Sequence, residues 1–177
     1  MSQMKFVVDI GRCIGCNACS VSCKDRAGLP DELDLLRVER IESGQYPDVD
    51  MSFRVIHCFH CEDPPCLEAC PSEAIYKNDD GFVLFDVDNC TGCGNCSEVC
   101  PFEAIIELPN GSYMKCDGCY DEVANGLDPT CVRACLTRAL SFTTADELDV
   151  VDRIDRDFND YGIGPSVIYK TKRKKRA

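Results

Sequence analysis

Three short segments have the apolar pattern of strand candidates, with the alternation of apolar and polar residues clearest in the second: 5–10, 36–41 and 81–85. A period of two predicts short β-strands, each with one face toward a core. Asp80-Gly81 lies between the apolar stretches 74–76 and 82–85, and an Asp-Gly pair in that position is typical of a tight hairpin turn. We therefore predict a small β-hairpin there.

Between these strands the predicted elements are short. The segment 94–100 suits one or two helical turns, and Pro71 and Pro101 end such turns because proline lacks the N–H donor. The segment 25–56 contains no cysteine and is interrupted by glycine and proline residues. We predict that it is a connection carrying one strand, 36–41.

A longer helical pattern begins near residue 144. Thr144 and Glu147 have the spacing of a capping box. Apolar residues then follow at helical intervals: Leu148, Val151, Ile154 and Phe158. This pattern predicts one amphipathic helix over about 145–160, whose apolar stripe packs on the rest of the chain. Docking of that stripe onto a partner is the alternative.

An internal repeat divides the chain. The motif of residues 70–75, Cys-Pro-Ser-Glu-Ala-Ile, recurs at 100–105 as Cys-Pro-Phe-Glu-Ala-Ile and more faintly at 135–140 as Cys-Leu-Thr-Arg-Ala-Leu. Each copy closes a group of four cysteines. Four such groups use all sixteen cysteines: Cys13, Cys16, Cys19, Cys23; Cys58, Cys61, Cys66, Cys70; Cys90, Cys93, Cys96, Cys100; Cys116, Cys119, Cys131, Cys135.

Sixteen cysteines in 177 residues indicate either disulfides or metal ligands. The first residues show no basic segment followed by an apolar run and a cleavage site, so we expect a reducing compartment, where such cysteines are more often metal ligands. No stretch approaches the roughly 18 consecutive apolar residues of a membrane span. We therefore expect no transmembrane segment in this chain.

The formal net charge of −12 argues against nucleic acid as the main partner, because phosphate binding relies on clustered lysine and arginine. Basic residues concentrate instead in the final segment, 170–177. Such a block is typical of a solvated terminus. The alternative is an electrostatic contact with a partner subunit or an anionic membrane surface.

The cysteine spacing suits cubane 4Fe-4S clusters, which need four thiolates each. In the bacterial C-x2-C-x2-C-x3-C-P run, three cysteines bind one cluster and the fourth binds the other cluster of a pair. Residues 90–101 match this run, and residues 58–71 are a variant with a longer second gap. Reciprocal exchange predicts two ligand sets, named here the third set (Cys58, Cys61, Cys66, Cys100) and the fourth set (Cys70, Cys90, Cys93, Cys96).

By elimination the outer groups complete each other. This predicts a first set (Cys13, Cys16, Cys19, Cys135) and a second set (Cys23, Cys116, Cys119, Cys131). The expected fold is α+β, with an inner ferredoxin-like module, 58–100, inserted into an outer one formed by 1–57 and 101–143. A C-terminal helix and basic tail, 144–177, would follow.

Zinc and disulfide frameworks are the competing interpretations. Residues 116–135 alone could bind zinc, but repeated runs with gaps of two, two and three residues are not zinc-ribbon spacing. His57 and His60 flank Cys58; because every cluster already has four thiolates, we predict a structural role or hydrogen bonds near the cluster sulfurs. Small residues are predicted to let backbone N–H groups approach sulfur: Gly15, Ala18, Gly92, Gly94 and Gly118.

No catalytic site is predicted. The sequence contains no glycine-rich dinucleotide fingerprint, no phosphate loop and no Ser/His/Asp set. Clusters with four thiolates each also leave no iron open to substrate. We expect them to pass single electrons to and from catalytic sites on other subunits.

The order and gaps of the four groups resemble the iron-sulfur subunits of the dimethyl sulfoxide reductase superfamily, over about residues 4–145. The resemblance implies four 4Fe-4S clusters, because Cys93 stands where some relatives carry tryptophan and a 3Fe-4S centre. It also implies that the cluster of the first set faces the catalytic subunit and that the cluster of the fourth set lies at the far end.

The same resemblance implies a molybdenum or tungsten bis-pterin (molybdopterin-type) catalytic partner, with a membrane anchor or a soluble carrier as the second redox partner. The alternative is a four-cluster subunit of a hydrogenase or formate-hydrogen system, or a free polyferredoxin. The expected location is cytoplasmic, with export beside a twin-arginine partner as the alternative.

Overall fold

A computed structural model describes residues 4–144, 155 and 158–171. The helix predicted over 145–160 falls almost entirely outside these residues, as does the basic tail after Thr171. Within the described part of the chain, no helix is long and apolar enough to cross a membrane.

The strand predicted at 5–10 is confirmed as β1 (Met4–Asp9), the central strand of a three-stranded sheet. β1 pairs antiparallel with β8 (Leu140–Thr144) and parallel with β9 (Val167–Lys170). Its last four residues are all buried because it has a neighbour on each side. β9 was not predicted: its four residues give too short a pattern to separate from the basic tail.

Residues 25–56 contain two strands, so the prediction of a single strand was wrong. β2 (Arg37–Gln45) and β3 (Asp48–Ile56) form a long antiparallel hairpin. Its base is buried at Val55 and Ile56, whereas Tyr46 at the tip is 92% exposed. β3 also alternates apolar and polar residues, but its apolar residues near the tip face solvent, which weakens the pattern.

Two small hairpins each follow a copy of the repeated motif. The predicted hairpin is confirmed as β4 (Ile75–Lys77) paired with β5 (Val83–Phe85). β6 (Ile105–Glu107) and β7 (Tyr113–Lys115) form the equivalent hairpin after the next copy. The third copy leads into β8 rather than a hairpin.

The helices of the described residues are short, and all except the one at Tyr120–Ala124 carry cysteines of the four groups. The first, α1, covers Ala18–Ala27 and packs on α5 (Thr130–Arg133). α2 (Pro65–Glu68) packs on α3 (Asn95–Glu98), which confirms the short helix predicted within 94–100. α4 covers Tyr120–Ala124. The helices therefore pack in two pairs, one from the outer cysteine groups and one from the inner groups.

Two hydrophobic cores result. The larger one joins the three-stranded sheet to the base of the β2–β3 hairpin and centres on Phe59, whose ring contacts those of Phe102 and Tyr169. The smaller one lies between the α2–α3 pair and the small hairpins: Cys66, Ile75, Val83, Cys96 and Ile105. The chain is thus a mixed helix and strand structure with two packing centres.

Tyr169 of the unpredicted strand β9 packs in the larger core and hydrogen-bonds to β3. Its side chain is 1% exposed and its hydroxyl donates a 2.6 Å hydrogen bond to the carbonyl of Val55. Burial raises the pKa of Tyr169 above its ordinary value. We expect Tyr169→Phe to lower the free energy of unfolding by about 1 kcal/mol, the net worth of one such hydrogen bond.

The measurement is a urea titration of the anaerobic protein, with Tyr46→Phe as the matched control because Tyr46 is 92% exposed. The control should unfold like the unmodified protein. Equal stability of both variants would contradict the role given to the Tyr169 hydroxyl.

Candidate metal centres

Each cysteine group begins with a Cys-x-x-Cys loop that turns through the left-handed backbone region. Gly15, Gly92 and Gly118 occupy its third position with φ of 69°, 70° and 70°, and His60 stands there with φ of 45°. In this conformation the N–H of Gly118 lies 3.3 Å from the sulfur of Cys116. Glycine adopts such angles without steric cost, so the predicted approach of N–H groups to sulfur is confirmed at this loop.

Two of these glycines also face aromatic rings. A Cβ at Gly15 would lie 2.4 Å from the ring of Phe53, and a Cβ at Gly118 would lie 2.4 Å from the ring of Phe82. The loops therefore pack against the β2–β3 hairpin and the β4–β5 hairpin, respectively. A side chain at either position would displace the ring, and the loop would move with it.

The repeated motif surrounds its leading cysteine with backbone donors. Its fourth residue is left-handed in all three copies: Glu73, Glu103 and Arg138 have φ of 53°, 50° and 54°. After Arg138 the chain turns back, and the N–H of Ala139 lies 3.1 Å from the sulfur of Cys135. The motif thus forms a small nest of N–H groups of the kind that binds anions.

These donors shift the acidity of two thiols. Burial alone would raise the pKa of Cys135, but hydrogen bonds from the N–H groups of Leu140 and Ala139 outweigh it, and the pKa lies below its ordinary value. Burial would also raise the pKa of Cys70. Hydrogen bonds from the Ser72 hydroxyl and from backbone N–H groups outweigh this effect and lower the pKa. In both cases the hydrogen bonds stabilise the thiolate, which is the form of cysteine that binds metal.

Most other shifted thiols move in the opposite direction. Burial raises the pKa of Cys19 to about 11 and those of Cys23, Cys61 and Cys66 to about 12. Neighbouring thiols add to this effect. A cationic metal centre would reverse it, because metal binding requires deprotonated sulfur and releases the protons.

The structure places distant cysteines side by side. In the outer part, Cys135 lies near Cys13 and Cys19, and Cys131 lies near Cys119 and Cys23 and also near Cys19 of the first set. In the inner part, Cys61 neighbours Cys58, Cys66 and Cys100, and Cys96 neighbours Cys70, Cys90 and Cys93. The members of each predicted set are therefore neighbours, although they come from different groups in the sequence.

Two of the sets line apolar cavities. One is lined by all four cysteines of the third set together with Phe59, Phe102 and Ile105. Another is lined by all four of the second set, with Phe6 and Leu36. No three His, Cys, Asp or Glu side chains among the described residues converge closely enough to hold a single ion. Four thiols around a larger space are the donor set that a cubane cluster requires.

The other two sets reach the surface. Cys16 in the first set and Cys93 in the fourth set are exposed, whereas Cys131 and Cys61 in the second and third sets are buried. Solvent exposure is one of the properties that tune a cluster potential. The first and fourth sets therefore each place one cysteine at the surface of the chain.

Both histidines are buried and flank Cys58 of the third set, and His57 also lines the cavity of the second set. His57 is 2% exposed and its Nδ1 lies 2.7 Å from the carbonyl of Cys58. His60 is 3% exposed and its Nδ1 accepts the N–H of Val83 at 3.0 Å. Burial lowers the pKa of His57 to about 4. These contacts are those of buried, neutral, packing side chains.

The loops, cavities and cysteine spacing together define an iron-sulfur protein of the ferredoxin-like class. The family model for a 4Fe-4S dicluster domain matches residues 49–145. This protein belongs to that family, among the non-catalytic iron-sulfur electron-transfer subunits of molybdoenzyme-type oxidoreductases.

Several curated relatives are similar over most of their length. One is a component of the anaerobic dimethyl sulfoxide reductase of Escherichia coli, 41% identical over 156 residues that cover 83% of this chain and 76% of the relative. A component of the polysulfide reductase of Wolinella succinogenes is 38% identical, with 77% and 74% covered. A component of the sulfite dehydrogenase of Allochromatium vinosum is 34% identical, with 80% and 69% covered.

Proposed function

We propose that the chain holds four 4Fe-4S clusters in the first to fourth ligand sets, and that each cluster takes one ligand from a different cysteine group. The neighbouring positions of Cys135 with Cys13, and of Cys100 with Cys61, carry this proposal. The two apolar cavities support it, because each is lined by one complete set. The clusters, when bound, supply one-electron redox chemistry; the chain positions them and shields the inner two from water.

The proposed arrangement nests one ferredoxin-like module, 58–100, inside another formed by 1–57 and 101–143. Pairing of β1 with β8 supports it, since this sheet joins the two halves of the outer module. The packing of α1 on α5 and of α2 on α3 supports it as well. The smaller core extends to Ile105, so the β6–β7 hairpin shares in the packing of the inner module.

The four sets form a linear order. Cys19 of the first set interacts with Cys131 of the second, Cys116 of the second with Cys58 of the third, and Cys66 of the third with Cys96 of the fourth. The ends of this order are the two sets with an exposed cysteine. We propose a relay in which electrons enter at one exposed end and leave at the other.

The proposed partners are a molybdenum or tungsten bis-pterin catalytic subunit at the first set, and a membrane anchor or soluble carrier at the fourth. The names of the relatives support this, because they denote single components of two reductases and a dehydrogenase. We propose the cytoplasm as the location, with co-export beside a partner as the alternative.

The test is metal and acid-labile sulfide analysis of the anaerobically purified complex, with EPR of the reduced sample and mass spectrometry of the copurifying subunits. We expect about sixteen irons per chain, with signals of coupled cubane clusters, and a large molybdenum or tungsten subunit. Stoichiometric zinc, or about eight irons, would overturn the four-cluster proposal. A nickel-iron partner would overturn the proposed assembly.

A further inference from the structure

Lys115 is a buried lysine at the end of β7. Its side chain is 4% exposed, while it stands directly before Cys116 of the second set. Its ammonium group donates to the carbonyl of Cys116 at 3.0 Å and to the carbonyl of Val83 in β5. Lysine is seldom buried so completely without partners for its charge, so the surroundings of this group need an explanation.

The ammonium group lies between the second and third sets. Val83, whose carbonyl accepts from this ammonium group, lines the cavity of the third set. The N–H of Val83 donates to Nδ1 of His60, which lies in the Cys-x-x-Cys loop of the third set. On the other side, His60 Nε2 approaches the loop of the second set, since a Cβ at Gly118 would lie 3.2 Å from it. Lys115 therefore contacts residues of both inner sets: directly the carbonyl of Cys116 in the second set, and through Val83 and His60 the loop of the third set.

We propose that Lys115 provides a fixed positive charge between the two inner clusters and thereby raises the reduction potential of both. The proposal rests on the ligand sets proposed above. Each electron that arrives adds negative charge to a cluster, and a nearby cation stabilises that reduced state. The effect is large where water is excluded, and the local charge is among the properties that set cluster potentials.

In the proposed relay, this charge would change the reduction potentials of the second and third clusters and leave those of the first and fourth unchanged. Burial of the second and third clusters among apolar residues would by itself disfavour added charge and lower their potentials relative to the exposed end clusters. A cation at Lys115 offsets this penalty at both inner positions at once. The inner clusters can then accept electrons from the ends instead of forming a barrier between them.

The experiment is an EPR-monitored redox titration of the purified complex carrying Lys115→Met. Methionine keeps an unbranched apolar side chain, one atom shorter than that of lysine, and removes the charge. We expect the ratio of reduced to oxidised cluster at a fixed potential to fall at least tenfold for two of the four clusters, about 59 mV for a one-electron couple. The other two clusters should titrate as in the unmodified protein. Lys115→Arg, which keeps the charge, should restore values within threefold.

Lys77→Met is the matched control. Lys77 is half-buried and also donates to two carbonyls, those of Cys61 at 3.1 Å and Glu62 at 2.8 Å, but both carbonyls lie beside the third set alone. Its removal should affect one cluster only, and less strongly, because water screens its charge.

The outcomes separate this inference from the proposed function. If Lys115→Met retains the full iron content but all four potentials stay in place, the electrostatic role is wrong and the four-cluster relay stands. If Lys115→Met and Lys115→Arg shift the potentials equally, packing and not charge is responsible, and the inference fails. If the unmodified complex lacks four clusters, the proposed function fails first.

Discussion

Replacing Cys135 by serine is expected to abolish the first cluster, or convert it to a three-iron centre, while the second cluster remains. Cys135 follows Cys131 in the same cysteine group, but it lies near Cys13 and Cys19 of the first group. Serine keeps the size of the side chain and lacks the thiolate that binds iron. The cluster that is lost should therefore be the one bound by Cys13 and Cys19, the spatial neighbours of Cys135. The cluster bound by Cys131, its neighbour in sequence, should remain.

Cys23→Ser provides the reciprocal test. Cys23 belongs to the group of Cys13 in sequence but lies near Cys119 and Cys131, so its replacement should remove the second cluster and leave the first. The measurements are iron per chain, which should fall by about four in each variant if a whole cluster is lost, and EPR of the reduced protein. Loss of the second cluster in Cys135→Ser, and of the first in Cys23→Ser, would show that the ligands are not exchanged.

Replacing Gly118 by alanine is expected to destabilise the protein and deplete the second cluster. Alanine in the left-handed region costs about 1–2 kcal/mol. The new Cβ would also meet the buried ring of Phe82 at 2.4 Å, and displacing a packed side chain adds roughly 1–3 kcal/mol. Because Gly118 stands between Cys116 and Cys119, movement of the loop should lower the iron bound by the second set.

Gly126→Ala separates the cost of the left-handed backbone conformation from the cost of displacing the Phe82 ring. Gly126 has a similar φ of 77°, but nothing lies within 4 Å of a Cβ placed there. It should therefore show only the backbone cost, about 1–2 kcal/mol, with a full iron content. Urea titration and iron analysis of both variants provide the comparison. Equal losses in the two proteins would mean that the ring of Phe82 does not hold this loop in place.

The chemistry of the site could be predicted from the sequence because cluster ligands are held by local loops. Two residues between successive cysteines allow a single turn to present several sulfurs to one cluster, so spacing alone identifies the type of site. The same locality made the short hairpin at Asp80-Gly81 and the strand β1 predictable. In these segments each residue's role depends on neighbours a few positions away.

The structure decided the features that depend on contacts between distant segments. β9 joins the sheet beside β1 through tertiary packing, although its own pattern is too short to recognise. β3 follows β2 directly in the chain and was missed for another reason, since the apolar residues near its tip are exposed. The burial of Lys115 could not be predicted, since a lysine at the end of a three-residue strand is ordinarily exposed.

The sequence by itself determined that the sixteen cysteines come in four groups of four with the spacing typical of iron-sulfur ligands. The tertiary structure decided which cysteines become neighbours, which thiols line cavities and which reach the surface. The physical reason is that a cysteine run defines its own loop geometry, whereas charge and burial around each cluster arise from segments brought together by folding.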